Sequence, residues 1–483
     1  MRKPPFAGYF LRAFVAVLFL ALARGTAAAP DYAVVVSQPT ADDPGWRQVV
    51  DALRQEHHAT VIVYDSSVEE SLAGLRAQFP RYACFVARPA EATREFVVQV
   101  HRLTRRLDDD PYTDCFWGIL TGYDAANALR IAQCRAPLTI RKVAAGTSFA
   151  MDDCEEGIGY SELKAGLYAK KEKGGQPKEF HGPADSTESL VNALTEYRPD
   201  LFLASGHATE HDWQIGYAYR NGQFRCADGA LYGLDTHGRK LPIQSPNPKI
   251  YLPVGNCLMG HIDGPNAMAL AWMNSGGVNQ MIGYVVTTWY GYAGWGCVDY
   301  FLDQPGRYTF AEAFLANQLA LEHRLETYFP DLLTAPVAPD GRTSATIKLT
   351  DAARATGLTA QDGLGLAYDR DYLAFYGDPA WSARMAPQPL SWTQTLSQKG
   401  DQWTFDIQPC AGRQTFAPHD TNGSQRGGRP ILQFLPQRVK LVRVLEGADL
   451  NPVITDNFIL VPNPGTGEPR PVYRVVFQAA TPD

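Results

Sequence analysis

A mainly parallel, open α/β sheet in two subdomains, followed by an all-β sandwich, is the architecture this chain should adopt. Three features carry that expectation. Apolar strand-like runs alternate with amphipathic helical runs from Asp31 onward, a pattern that implies a sheet covered by helices on both faces. The 483 residues exceed what one ordinary core holds. From about Pro387 the texture changes to short strand-like runs separated by glycine- and proline-rich turns.

The elements follow in order. Arg2, Lys3 and Arg12, then the apolar "FVAVLFLALA" from Phe14 and the small residues of "TAAAP", read as a secretory leader over 1–28. The chain is therefore expected to be exported, whether secreted, periplasmic or held at a cell surface. No later run offers about 20 unbroken apolar residues, so no span is expected in the mature chain. Over 30–135, "YAVVVS" at Tyr32, "TVIVYD" at Thr60, "YACFVA" at Tyr82 and "CFWGIL" at Cys115 read as strands. Between them, Trp46, Val49, Val50 and Leu53 make one helix face, and Phe96, Val97, Val100 and Leu103 another. Over 136–380, Asp185 and Glu188 have capping-box spacing ahead of Leu190, Val191, Leu194 and Tyr197. "LFLAS", "IYLPV" and "VNQMIGYVV" are the next strands, with the helix "NAMALAWMNSGG" closed by glycine. The lysine-rich "KKEKGGQPKE" from Lys170 reads as a solvated loop. Over 387–483, "QWTFDI", "ILQFL", "RVKLVRVL", "NFILV" and "VYRVVF" should form the sandwich, with a core of its own.

Without Arg2, Lys3, Arg12 and Arg24 of the leader, 40 basic residues face 51 acidic ones. That balance argues against a nucleic-acid partner. The eight cysteines, at 84, 115, 134, 154, 226, 257, 297 and 410, contain no CxxC pair, which excludes a zinc ribbon or a dense disulfide framework.

Two apolar runs end on residues able to do proton or thiol chemistry. "LFLASGHATEHDW" stops at Gly206-His207, and "KIYLPVGNCLMGH" stops at Asn256-Cys257. Parallel sheets hold their working residues at the carboxyl ends of strands. If these two strands are neighbours, an imidazole and a thiol meet above the sheet edge, and Gly206 and Gly255 let the backbone turn tightly there. A thiol beside an imidazole is a nucleophile with its base.

The "SGHATE" and "GNCLMG" motifs, the "YGDPA" at Tyr376 and the domain order resemble the gingipain family of caspase-like-clan cysteine peptidases. The resemblance covers most of the mature chain. It implies a caspase-haemoglobinase-like sheet, an immunoglobulin-like C-terminal sandwich, a protein or peptide substrate and no cofactor or metal. It implies Cys257 as nucleophile, His207 as catalytic histidine, and the backbone N–H groups of Ala208 and Cys257 as oxyanion hole. Alanine at 208 replaces the family's usual glycine, which matters only if that position needs positive φ. The family's histidine-orienting acid maps to "DDCEEG", where Glu155 is the candidate. "VVTTWYGYAGWG", beyond Cys257, suits a specificity-pocket wall with Trp289 and Trp295 over the recognised side chain. The long insert "NGQFRCADGALYGLDTHGRKLP" should form an extra hairpin near the cleft, and the first strand leaves no room for a long propeptide.

Two other readings remain open at this level. His207 and His211, four apart, could begin a metal site with Cys226, His237 or His261 as further ligands. On a helix that spacing would put both on one face, but the segment follows a strand and starts at Gly206, and HxxxH is not HExxH. The chain could also be a binding protein that keeps the fold without the chemistry.

Overall fold

The computed structural model describes residues 31–481. The expected leader lies outside them. The centre is a 12-stranded, mostly parallel sheet. From one edge its strands are Thr60–Tyr64, Tyr32–Ser37, Tyr82–Val86, Phe116–Leu120, Leu373–Tyr376 and Val278–Tyr284, then Lys249–Pro253, Leu201–Ala204, Lys142–Ala145, Glu156–Tyr160, Leu167–Lys171 and Lys178–His181. The central strands are buried along their length, as a sheet covered on both faces requires.

Local chemistry explains the helices. Asp43 caps Pro44–His57, accepting from the N–H groups of Gly45 and Trp46, and Pro44 fits the first turn. Trp46, Val49, Val50 and Leu53 are its buried face. Thr93 caps Arg94–Thr104 in the same way. Gly277, at φ +71°, follows the helix Met268–Asn274. Asp185 does not form the expected capping box. Its carboxylate accepts from Thr187 N at 2.9 Å and from Thr236, while Glu188 turns out to Arg239.

The α/β parts expected over 30–135 and 136–380 share one continuous sheet. Its joint is Leu373–Tyr376, which ends in the "YGDPA" motif and was not marked by the sequence pattern. It runs antiparallel beside Val278–Tyr284 and meets Phe116–Leu120 at Tyr376 and Ile119. Asp378 fastens the joint, accepting from Tyr32 Oη at 2.7 Å and lying 2.9 Å from His57 Nε2. The lysine-rich segment is no plain loop either. Leu167–Lys171 and Lys178–His181 pair as an antiparallel hairpin at the sheet edge, and only its tip is irregular. The insert after His207 does form antiparallel strands, and Asp228 and Gly229, both at positive φ, make the turn between Gln223–Ala227 and Ala230–Leu234.

The C-terminal region holds two antiparallel sheets, one of four strands and one of three. Trp403, Phe405, Ile407, Ile459, Val475 and Phe477 belong to a core of their own. The three-stranded sheet, however, alternates between two cores. Ile431, Ile459 and Val461 face the C-terminal core, while Leu432, Phe434, Phe458 and Leu460 belong to the main one. Phe434 stacks edge-on against Phe116 at 4.8 Å and Phe458 against Tyr112 at 5.2 Å. The three-stranded sheet thus gives one face to the C-terminal core and the other to the main core. Among the described residues, no helix is long and apolar enough to cross a membrane.

Candidate functional site

Leu201–Ala204 and Lys249–Pro253 are parallel neighbours, with Ala204 opposite Pro253. The turns carrying His207 and Cys257 therefore leave the sheet side by side. Pro253 is the last strand residue, where its missing N–H costs no ladder bond. The Asn256 side-chain amide donates to Gly206 O at 3.2 Å, tying the turn before the thiol to the turn before the imidazole.

Each turn is held individually. Gly206 has φ +102°, a conformation that L side chains rarely adopt. The buried Trp213 indole donates to Ser205 O at 2.8 Å, and Gln214 N donates to His207 O at 2.9 Å. The segment after His207 is thus a hairpin turn, with Ala208 opposite Trp213. Gly255 lies outside the positive-φ region, and a β-carbon there would make only an ordinary contact, 3.5 Å from the Trp295 indole nitrogen, so the tight turn expected to need glycine at this position does not require it. Leu258, directly after the thiol, sits at φ +58°. A left-handed leucine costs about 1–2 kcal/mol. It is held there by its N–H to Val286 O at 3.0 Å. Strain of this kind gathers where a side chain must be aimed.

His207 and Cys257 line one cavity of about 410 Å³. Cys257 is half-buried and His207 exposed. The sulfur receives the Thr288 N–H at 3.3 Å, from the loop that follows Val278–Tyr284. The imidazole stacks on Tyr217 with ring centres 4.9 Å apart. Tyr217 is positioned by its N–H to Glu162 O at 2.6 Å. His207 and Cys257 share no direct hydrogen bond among the described residues, and both line the cavity. Ala208 does not have positive φ, so alanine serves there as well as glycine. Among the described residues, neither Ala208 N nor Cys257 N donates to another protein group.

Trp289 and Trp295 both line the cavity. Trp289 is 41% exposed at the rim, and Trp295 is buried on the helix Tyr292–Phe301. Glu155 is not at the site. It stands at the amino end of Glu156–Tyr160, whose neighbour Lys142–Ala145 runs parallel to the histidine strand, so it lies at the opposite sheet edge. There it pairs with Arg141 and, at 3.6 Å, with Lys173. The acid that lines the cavity is Glu162, just past the carboxyl end of that same strand. Buried at 5% exposure, it accepts from Ser148 N at 2.8 Å and Ser148 Oγ at 3.3 Å. The strand-end rule that found His207 and Cys257 could have found it, had "GIGYSE" been read as a strand.

The hairpin after His207 separates the two histidines of the HxxxH pattern. His211 lies 3.0 Å from Asp263 and 3.1 Å from Asn266 O. The groups close enough to share an ion with it are Glu210 and Asp263, and His207 is not in that cluster. Cys226 donates to Asn266 O, and His261 lines a different cavity. All eight cysteines are free thiols, and Cys84, Cys115, Cys154 and Cys297 are buried with pKa values pushed up by burial. No protein-family model matches the chain, and no curated protein matches its sequence.

Proposed function

We propose that this chain is an exported cysteine endopeptidase of the gingipain-like, caspase-like kind. The observation that carries the reading is the shared cavity: two neighbouring parallel strands deliver His207 and Cys257 into it, the thiol half-buried and the exposed imidazole stacked on Tyr217. In the reaction, His207 takes the thiol proton as sulfur attacks the scissile carbonyl. The tetrahedral oxyanion is met by the N–H groups of Ala208 and Cys257, a type of contact whose loss typically costs ~10²–10³ in rate. His207 then returns the proton to the leaving amine, giving a thioester that water hydrolyses. Glu162 is the one carboxylate among the described residues that lines the cavity, which favours a substrate with a cationic side chain at that point. The C-terminal region then belongs to the reading as an immunoglobulin-like sandwich.

The test is chemical. A peptide-directed electrophile given in less than one equivalent should modify Cys257 ahead of the other seven cysteines, as mapped by mass spectrometry. Cys257→Ala should abolish peptide hydrolysis with the fold intact, and His207→Ala should slow both hydrolysis and labelling. Hydrolysis surviving Cys257→Ala, or labelling concentrated elsewhere, would overturn the mechanism.

A further inference from the structure

One wall of the cavity comes from far along the chain. Between the strands Gln402–Pro409 and Ile431–Phe434, the C-terminal region sends out a long excursion. Asn422, Gly423 and Ser424 of this excursion line the same cavity as His207 and Cys257. They sit more than 160 positions beyond the thiol in sequence.

The excursion is built in, not draped over. Asn422 Nδ2 donates to Ser148 O at 2.9 Å and lies 3.3 Å from Thr147 Oγ1. Ser424 Oγ donates to Tyr290 O at 3.1 Å, on the loop whose Thr288 N–H meets the Cys257 sulfur. Immediately beyond, Arg426 reaches Asp299 and Asp303, each at 2.6 Å, and Arg429 reaches Asp299 at 2.8 Å. All four side chains are at most 7% exposed. Asp299 lies on the helix that also carries Trp295, and Asp303 lies just past its end. Gly423 has φ +99°, and a β-carbon on it would fall 2.2 Å from the nearest atom of the Trp295 ring. Backbone is thus laid flat on the indole that floors the cavity, where no larger residue fits.

We propose that residues 422–424 are a substrate-contacting wall, and that Gly423 determines which substrate side chain is accepted over Trp295. This rests on the peptidase reading given above. The C-terminal region is then part of the specificity machinery and not an appended module. A side chain entering beside Trp295 meets the flat Gly423 backbone on one side and Glu162 with Leu163 on another. Adding one methyl at 423 must lift the wall from the indole and change the width of that slot. A single methylene's mismatch in such a pocket shifts selectivity by about 10–200-fold.

The experiment uses the full chain and reads covalent labelling at Cys257 by mass spectrometry. Two probes are compared. Iodoacetamide is small and needs no wall, whereas peptidyl acyloxymethyl ketones carry small, aromatic or cationic side chains next to the reactive carbonyl. In Gly423→Ala, iodoacetamide labelling should stay within about twofold of the parent, while the ranking among the peptidyl probes should change by about tenfold or more. Asn422→Ala adds no bulk and only frees the wall from Thr147 and Ser148, so it should move the ranking in a form that folds even if Gly423→Ala does not. An unchanged ranking in both variants overturns the proposal, as does iodoacetamide labelling that falls in step with the peptidyl probes. Parent protein that accepts iodoacetamide at Cys257 but none of the peptidyl probes would instead refute the peptidase reading.

Discussion

Residues 387–483 expressed alone should fail to fold cooperatively. Cutting there exposes the face of the three-stranded sheet that belongs to the main core. Leu432, Phe458 and Leu460 are fully buried, and Phe434 is 8% exposed. Burying a large apolar side chain is worth about 1.5–3 kcal/mol, so this face contributes on the order of 10 kcal/mol in the whole chain. A domain of this length has a total stability of about 5–15 kcal/mol. The cut also strips Arg426 and Arg429 of Asp299 and Asp303, and Arg438 of its bonds to Pro80 O and Asp114 O. What remains is one small core between two sheets, with the outer face of the three-stranded sheet bare and apolar. The assay is urea unfolding of the fragment followed by circular dichroism and tryptophan fluorescence, with Trp392 and Trp403 as reporters. The expected trace is a shallow, non-cooperative change, or aggregation relieved by adding the α/β part in trans. A single cooperative transition with stability above about 3 kcal/mol would refute the reasoning, because it would mean that the shared face is dispensable.

Glu162→Gln should lower kcat/KM for substrates with a cationic side chain by roughly 30-fold or more, the ~2–5 kcal/mol cost of removing one partner of a close charge pair. Neutral substrates should be little affected, and Glu155→Gln, at the far sheet edge, should leave both unchanged. The His419 pKa is raised, first by its hydrogen bond to Asp153 and further by the charges of Asp153 and Asp303, against burial and Arg426. A raised folded-state value makes this contact fully stabilising below about pH 6.5 and weaker as pH rises through the raised value. Hydrogen exchange around residues 415–424 should therefore quicken between pH 6 and 8 beyond the intrinsic rate change. His419→Gln should flatten that excess, and an identical profile in the variant would refute it.

What the sequence made legible was local. Strand runs with continuous apolar character, such as "YAVVVS" and "IYLPV", lie in the sheet because nothing but a covered sheet can bury every residue of so short a run. His207 and Cys257 were found because a strand's carboxyl end is a direction the chain itself supplies. Glu155 was misplaced for the converse reason: a carboxylate in a polar run carries no sign of which sheet edge it will reach. The strand Leu373–Tyr376 was also hidden, since four residues at the end of a helical run leave no period to read.

The wall at 422–424 lay beyond any local pattern, yet one signal for it was present. "GWGCVDYFLD" reads as a buried helix, and it contains two carboxylates, Asp299 and Asp303, that such a helix must bury with it. Buried acids of this kind require cations from elsewhere in the chain, because breaking such a pair costs about 3–5 kcal/mol. The cations come from "QRGGR", where Arg426 and Arg429 are the only basic residues of a glycine-rich turn. Charge that has to be neutralised inside a core therefore says more about long-range contact than the apolar residues around it do. Here it fixes the excursion of the C-terminal region that lines the thiol's cavity, because the same ion pairs that satisfy Asp299 and Asp303 hold the segment next to Gly423, which lies on Trp295.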